Sequence, residues 1–339
     1  MATCANDRTL ILHIGLHKTA TSYLQNILSA RRHDLLREGV LYPTTGEAAG
    51  TVTFTTREGA QSGHALLTRT RADRNLVSEL VDEIPDTAPT VLVSSEDFTL
   101  PRTSAEEHLS RFGAFGRVQV VLVLRRQDAW IESYYKQNVD QYGRFETRSF
   151  DEFLAQMGPK LLDFHTRFSP WRDLVGPESF HVLSFDDLPG GTAICSRLLE
   201  IAGVRGSLVD NPESIPVPRY ESVRAIDTLG LRILNAYRLD NRDVRNRTAR
   251  SIYAAAPDGD LELMTREMRE GIQALCAPIN ERIEAEWFKE PVPGFRFGTA
   301  PGNSATSPPT GPEVVDYVDR VISLCEEARK SAQESGSAE

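Results

Sequence analysis

The sequence predicts an α/β fold, a parallel β-sheet flanked by helices with a mostly helical C-terminal region. Three observations carry that expectation. Four short apolar runs lack the alternation of half-exposed strands, as the buried strands of parallel sheets do. Segments with helical periodicity separate these runs. Beyond residue 210 strand signals fade, and residues 219–289 read as almost entirely helical.

The run Leu10-Ile-Leu-His-Ile14 is the first strand and ends at Gly15. Residues 19–37 follow as a helix, with Leu24, Ile27, Leu28, Leu35 and Leu36 along one face. Residues 44–63, rich in Gly and Thr, are expected to form a loop, and 66–84 a second helix. The next strands are 90–94, 118–124 and 180–185. Helices are expected at 129–141 and 192–202. Residues 295–312 hold Gly, Pro, Ser and Thr and suit a linker. An amphipathic helix covers 313–330, and the Ser/Glu tail is expected to be disordered. The chain thus divides into an α/β core at 1–210, a helical region at 211–294 completing the same domain, a linker at 295–312, and a last helix and tail at 313–339.

The 339 residues are 40% hydrophobic and 8% aromatic, enough for a sizeable core and too much for a disordered chain. The net charge of −10 disfavours general nucleic-acid binding, so an anionic ligand needs a local basic pocket. The longest apolar stretch, 118–124, falls well short of the roughly 20 residues of a membrane span. No basic segment followed by an apolar one marks a leader peptide at the start. Cys4, Cys195, Cys276 and Cys325 lie far apart without CxxC spacing. Neither a disulfide framework nor a metal finger is expected, and the expected compartment is a reducing cytoplasm.

The segment Ile14-Gly-Leu-His-Lys-Thr-Ala-Thr-Ser22 joins the first strand to the first helix. Such a junction offers free backbone N–H groups and the positive end of a helix dipole, where an anion fits. Lys18 adds a full charge, and Thr19, Thr21 and Ser22 add hydroxyls. The set suits a phosphate, or a phosphate joined to a sulfate. The plainer alternative is a strand–helix turn with a solvated lysine and capping hydroxyls. GxxxxGK[ST] is absent, so this is not a Walker A loop.

A second basic feature closes the third strand. Arg125 stands at the strand's C-terminal end, where open α/β sheets bind ligands, and Ser133 follows two helical turns later. Together they are suited to clamp a second phosphate, the arginine through its planar fork. The alternative is an arginine salt-bridged at a strand end and a serine on a helix surface. Arg126 is the less favoured register for the same role.

These segments resemble the sulfotransferases, of bacterial type, that use 3′-phosphoadenosine 5′-phosphosulfate (PAPS). Their first-strand loop carries Lys, a hydroxyl residue, Gly and two further hydroxyl residues, and Lys18-Thr-Ala-Thr-Ser22 stands in that place, preceded by His17. The resemblance implies a P-loop-NTPase-like three-layer fold for the core, and PAPS as cofactor. It implies that Lys18, Thr19, Ala20, Thr21 and Ser22 hold the 5′-phosphosulfate, with His17 in the same loop. Tyr23 falls where some members set an aromatic against the adenine. Arg125 and Ser133 reproduce the family's arginine–serine spacing for the 3′-phosphate. Ser184-Phe-Asp-Asp-Leu188 resembles a late aromatic-acid-acid-Leu segment, with Phe185 beside the adenine or serving as a core aromatic. The matched segments cover about residues 10–190. Ala20 departs from the family's Gly, and a Cβ there is expected to require a negative φ.

Sulfuryl transfer needs an in-line acceptor hydroxyl, a proton acceptor and stabilisation of the leaving oxygen. Lys18 is the candidate for the leaving group. Glu96, closing the strand 90–94 in Ser94-Ser-Glu-Asp97, is the favoured base, provided that burial raises its pKa. Its structural alternative is a capping or salt-bridging acid. His64, in Ser62-Gly-His-Ala65, is second and His17 third, while Asp97 supports the site.

Two other functions compete. A nucleotide-dependent phosphotransferase draws on the faintly Walker B-like Val91-Leu-Val-Ser-Ser-Glu-Asp97, and metal dependence separates it from PAPS chemistry, which needs none. A non-catalytic adenine-nucleotide module predicts binding without turnover. The expected acceptor is a small molecule or carbohydrate hydroxyl, a sugar or secondary metabolite, shaped by 44–65 and the helical C-terminal region. Residues 219–250 hold eight arginines against four acids, set either to meet an anion or to lie on solvated helix faces. No nucleic-acid partner and no membrane span are expected, and homo-oligomerisation is left open.

Overall fold

The computed structural model describes residues 7–47, 63–68, 75–100, 104–188, 190–212, 223–288 and 308–336. Cys4, Arg219, most of the expected loop at 44–63 and most of the linker at 295–312 lie outside them.

Five parallel strands form one sheet in the order β2-β3-β1-β4-β5. They are β1 (Thr9–His13), β2 (Val40–Leu41), β3 (Thr90–Ser94), β4 (Arg117–Leu124) and β5 (Phe180–Ser184). The register aligns the C-terminal ends: His13 sits opposite Ser94 and Val121, and Leu124 opposite Ser184. β1 lies between β3 and β4, so the chain order reverses beside it. Crevices of this kind, at the carboxyl ends of the strands, are where doubly wound sheets bind ligands.

Between the strands run α1 (Thr21–Ala30), α2 (Arg32–Arg37), α3 (Asn75–Asp82), α4 (Ala105–Arg111), α5 (Gln127–Asp140), α6 (Phe150–Leu161) and α7 (Phe164–Val175). After the sheet come α8 (Gly190–Ile201), α9 (Ser207–Asp210), α10 (Ala225–Ala236), α11 (Arg242–Ala255), α12 (Arg266–Trp287) and α13 (Gly311–Gly336).

Successive strand residues point to opposite faces, and each face has its own core. Leu10, Leu12, Val91, Val93, Val120 and Leu122 pack with Trp130, Phe164, Ile226, Ile252 and Tyr317. Ile11, Leu92, Val121 and Val123 pack with Leu24, Leu28, Ile194 and Leu198. The result is the expected P-loop-NTPase-like three-layer α/β arrangement with a mostly helical C-terminal region. In α13, Tyr317, Val321 and Cys325 repeat every four residues and are buried, so one stripe joins the first core.

Several local expectations change. The helix expected over 19–37 is two helices, broken at Arg31. The helix expected over 66–84 is a 3-10 turn at Ala65–Thr68 and α3, with 69–74 outside the described residues. The tail expected to be disordered is helical as far as Gly336.

Candidate nucleotide site and its polar floor

β1 does not stop hydrogen bonding at its last strand residue. Ile14 and Leu16 donate their amides to Val121 and Val123 of β4, at 2.9 and 3.4 Å. The loop is thereby led along β4 toward Arg125. It then turns through two left-handed residues, Lys18 at φ +67° and Ala20 at φ +60°. Left-handed residues set into a turn aim successive N–H groups at one concavity. The expectation that Ala20 keeps a negative φ is therefore wrong. This is the conformation for which Gly is the unstrained residue. Ala20 is also the N-cap of α1, where no side chain caps the helix and the positive end of its dipole faces the turn.

The hydroxyls of the loop divide. Thr19 and Thr21 donate to the Leu16 carbonyl, at 2.5 and 3.4 Å. They brace the loop, and their contribution to an anion passes through the backbone. Ser22 is half-buried on the first turn of α1. Tyr23, next along, meets the start of α8: its hydroxyl is 3.3 Å from Thr192 Oγ1. A Cβ on Gly191 would lie 2.5 Å from Tyr23 Cδ1, so only glycine lets α8 come this close.

Arg125 lies beside this loop. Its Nη1 donates to the Lys18 carbonyl at 3.0 Å, and its guanidinium carbon is 4.9 Å from the Phe185 ring centroid. Its Nε is buried with no hydrogen-bond partner among the described residues. Burial lowers the Arg125 pKa, with the Asp186 and Glu132 charges acting the other way. Phe185 and Tyr23 are both half-buried against the same core. Arg126 serves the framework instead. Its Nε donates to Asp128 Oδ1 at 2.5 Å and its amide to Asp186 Oδ2 at 2.5 Å.

Ser133 sits on α5 with 8% exposure. It follows Trp130 by three residues, on the same helix face. Trp130 Nε1 donates to the His17 carbonyl at 2.9 Å, so that face is turned to the loop.

The floor of the site is a polar network at the strand ends. His13 Nδ1 and Ser94 Oγ are 2.8 Å apart. The Gln25 amide donates to Ser94 Oγ at 3.3 Å and to Glu96 Oε2 at 3.2 Å. Glu96 opens a 3-10 turn, Glu96–Thr99, capped by Ser95. His17 stands between two carboxylates, Nδ1 3.9 Å from Glu96 and Nε2 3.8 Å from Asp97. Neither ring nitrogen has a hydrogen-bond partner among the described residues. Burial drives the His17 pKa down to about 4; Asp97 opposes this, while Arg144, Arg167 and Lys18 reinforce it. The ring is neutral at pH 7, and the two approaches are contacts rather than ion pairs.

His64 is positioned otherwise. It is fully buried; its Nδ1 accepts from the Ser94 amide at 3.1 Å and its Nε2 faces the Pro43 carbonyl at 3.0 Å. These bonds, with the Ser94 carbonyl a further 3.3 Å neighbour of Nδ1, tie the residues after β2 to β3. Both nitrogens are taken, so the ring has no edge left for a substrate proton. The arginine-rich segment also serves the fold in part. Arg224 pairs with Asp227, and Arg245 donates to the Asp140 carbonyl and to Asn235.

The structure thus brings together His17, Lys18, Thr19, Ala20, Thr21, Ser22, Arg125, Glu96 and the loop-facing side of α5, and sets His64 apart. Sequence reading misses Gln25, Trp130 and Arg167. Gln25 and Trp130 lie one or two turns into helices that the sequence does announce, and helical spacing is the available signal.

No family model matches the chain, and no curated protein does. Among solved structures, a sulfotransferase from Alicyclobacillus acidocaldarius superposes with a TM-score of 0.49 at 17% identity, over 83% of this chain and 96% of that one. At that distance the likeness identifies neither ligand nor activity, and both rest on the residues themselves.

Proposed function

We propose that the chain is a PAPS-dependent sulfotransferase acting on an acceptor hydroxyl, of a sugar or a secondary metabolite. One observation carries the reading: the Arg125 guanidinium touches the turn at Lys18, at 3.0 Å from its carbonyl. Two anion-binding features far apart in sequence are therefore close enough to grip one doubly anionic nucleotide. The residues present fit such a group. The uncapped start of α1 suits the 5′ end, the orphaned Arg125 Nε and Ser133 suit the 3′-phosphate, and the half-buried Tyr23 and Phe185 suit a base.

When bound, PAPS supplies an activated sulfuryl group whose transfer releases 3′-phosphoadenosine 5′-phosphate. Lys18 sets its charge beside the leaving oxygen. Glu96 takes the proton of the acceptor hydroxyl, its carboxylate held by the Gln25 amide and lying 3.9 Å from His17 Nδ1. A second assignment gives the proton to His17, favoured by its neutral ring and two unoccupied nitrogens. Cys195, Cys276 and Cys325 are buried free thiols, in keeping with a reducing compartment such as the cytoplasm. Among the described residues no helix is long and apolar enough to cross a membrane.

The test is calorimetry with 3′-phosphoadenosine 5′-phosphate against ATP, followed by an acceptor screen with radiolabelled PAPS. The 3′-phosphate compound should bind and ATP should bind at least tenfold more weakly. Arg125→Ala should weaken binding tenfold or more, since a charge-assisted fork to phosphate contributes roughly 1.5–3 kcal/mol. Lys18→Ala should bind nucleotide and lose transfer. Glu96→Gln should bind and lose rate; if His17→Ala alone does so, the base is His17. Equal affinity for ATP would return the chain to the phosphotransferase reading.

A further inference from the structure

Arg167 stands out among the cations around His17. It lies on α7, half-buried, with its guanidinium carbon 5.4 Å from the Trp130 ring, 5.8 Å from Phe164 and 4.9 Å from Phe168. Its hydrogen bond is from Nη1 to the Leu161 carbonyl at 2.6 Å. Among the described residues no carboxylate lies within ion-pairing distance of it. Other arginines on this side of the sheet are neutralised: Arg126 and Arg269 converge on Asp128, and Arg148 pairs with Glu146. A guanidinium withdrawn from water without a counter-ion is costly. Burial moves the Arg167 pKa down to about 10, with Tyr134 and the Asp163 carboxylate, four residues earlier and beyond ion-pairing distance, acting the other way; the charge stays in place at neutral pH.

The group is connected to the reacting end of the site. The Trp130 ring that Arg167 covers holds the His17 carbonyl and stacks on Tyr134 at 5.1 Å, and Tyr134 in turn lies 5.9 Å from the His17 ring. Arg144, exposed after α5 and bonded to Gln141, is a second cation whose charge lowers the His17 pKa. Neither cation contacts the turn at Lys18 or Arg125. Arg167 lies on the side of His17 that the Trp130 and Tyr134 rings cover, the side on which the proposal sets the acceptor.

We propose that the acceptor is an anion: a carboxylate on the acceptor docks on the Arg167 fork, with Arg144 at the outer edge, while its hydroxyl meets Glu96 and His17. This rests on the sulfotransferase reading above. The planar guanidinium matches a carboxylate with two parallel hydrogen bonds, and the aromatic rings beneath it hold the fork flat. The positive pair also attracts an anionic acceptor toward a site that already holds a polyanion, offsetting the repulsion between the two ligands.

The test uses phenylacetate and its neutral isostere phenylacetamide, titrated into the protein with and without saturating 3′-phosphoadenosine 5′-phosphate and followed by ligand-observed NMR. The acid should bind at least tenfold more tightly than the amide. Arg167→Gln should bring the ratio to about one, and Arg167→Lys should keep part of it. Arg167 packs among buried rings, so Arg144→Gln, at an exposed position, provides a second variant and should lower the ratio about threefold. Equal binding of acid and amide, undetectable binding of the acid, or a ratio unmoved by both substitutions overturns the proposal. Loss of the nucleotide titration with the acid preference intact would instead overturn the sulfotransferase reading. If sulfate competes as well as phenylacetate does at equal concentration, the carboxylate assignment is wrong.

Discussion

Ala20 occupies the left-handed region at φ +60° while carrying a side chain. A Cβ there costs about 1–2 kcal/mol, of which the extra chain entropy of Gly returns roughly half when the residue is exchanged. Ala20→Gly should therefore stabilise the protein by about 0.5–1 kcal/mol, read as a higher guanidinium midpoint with an unchanged slope. An unchanged or lower midpoint would show that the Cβ contributes packing that outweighs the strain. At this scale the sequence is informative where chemistry and position coincide. Lys18 and Arg125 follow apolar runs, and a parallel sheet gathers the ends of such runs at one edge. Histidines are not separable in that way. His17 and His64 both belong to a residue type that titrates in the useful range, and both stand near strand ends. Only the fold shows that His64 has both nitrogens on backbone groups while His17 has neither occupied.

α5 is the element on which the site depends, since Trp130, Ser133 and Tyr134 all hang from it. Its first turn is pinned by Asp128, fully buried, which receives Arg126 at 2.5 Å and Arg269 of α12 at 2.9 Å. Burial alone would raise the Asp128 pKa, but the hydrogen bonds from Arg126 and Arg269 outweigh it and hold the carboxyl below the usual range. Asp128→Ala removes the acceptor that Arg126 and Arg269 share, although Arg269 keeps Glu132 at 3.4 Å, and breaking a buried pair in this way costs about 3–5 kcal/mol. Chemical denaturation should register that loss, and nucleotide affinity should fall with it as the α5 face slackens. A loss under about 1 kcal/mol would mean that water replaces the carboxylate. Elements are legible according to how local their signal is. Strands β1, β3, β4 and β5 are continuous apolar runs, and their sequence bounds agree with the structure to within a residue or two. β2, two residues long, has no pattern to read. α6 and α7 contain Pro159 and Pro170, which read as breaks in a sequence although both sit inside helices. Arg167 lies on α7, so the residue proposed to meet the acceptor is hidden along with the helix that carries it. The single helix expected over 19–37 breaks at Arg31, where the chain passes from α1, packed against α8, to α2, packed against β2; Leu24, Ile27, Leu28 and Leu35 stay in one core.

Over the whole molecule, burial has a consequence for pH. His13, His17, His64 and His108 have their pKa lowered to about 4, and burial is the largest cause in each. In the unfolded chain these rings titrate near 6.5. Between those values the unfolded state binds more protons than the folded one. The stabilisation from keeping the rings neutral is therefore complete above pH 6.5 and is lost as pH falls toward 4. At pH 5.5 about nine-tenths of each unfolded ring and only a few per cent of each folded ring is protonated, so unfolding should take up roughly 3–4 protons from these groups. Each such proton corresponds to about 1.4 kcal/mol per pH unit. Ordinary carboxylates add little above pH 5.5, so the window from 5.5 to 6.5 isolates the histidines. Denaturant unfolding at several pH values in that window should show stability falling steeply with acid. His64 can be separated from the rest: His64→Gln supplies a side chain able to meet the Pro43 carbonyl or the Ser94 amide, and should lower the proton uptake by about one. A stability profile that is level from pH 6.5 to 5.5 would mean that the rings take up protons within the folded protein. Burial would then not be what keeps His17 neutral, and the second assignment of the base would lose that support.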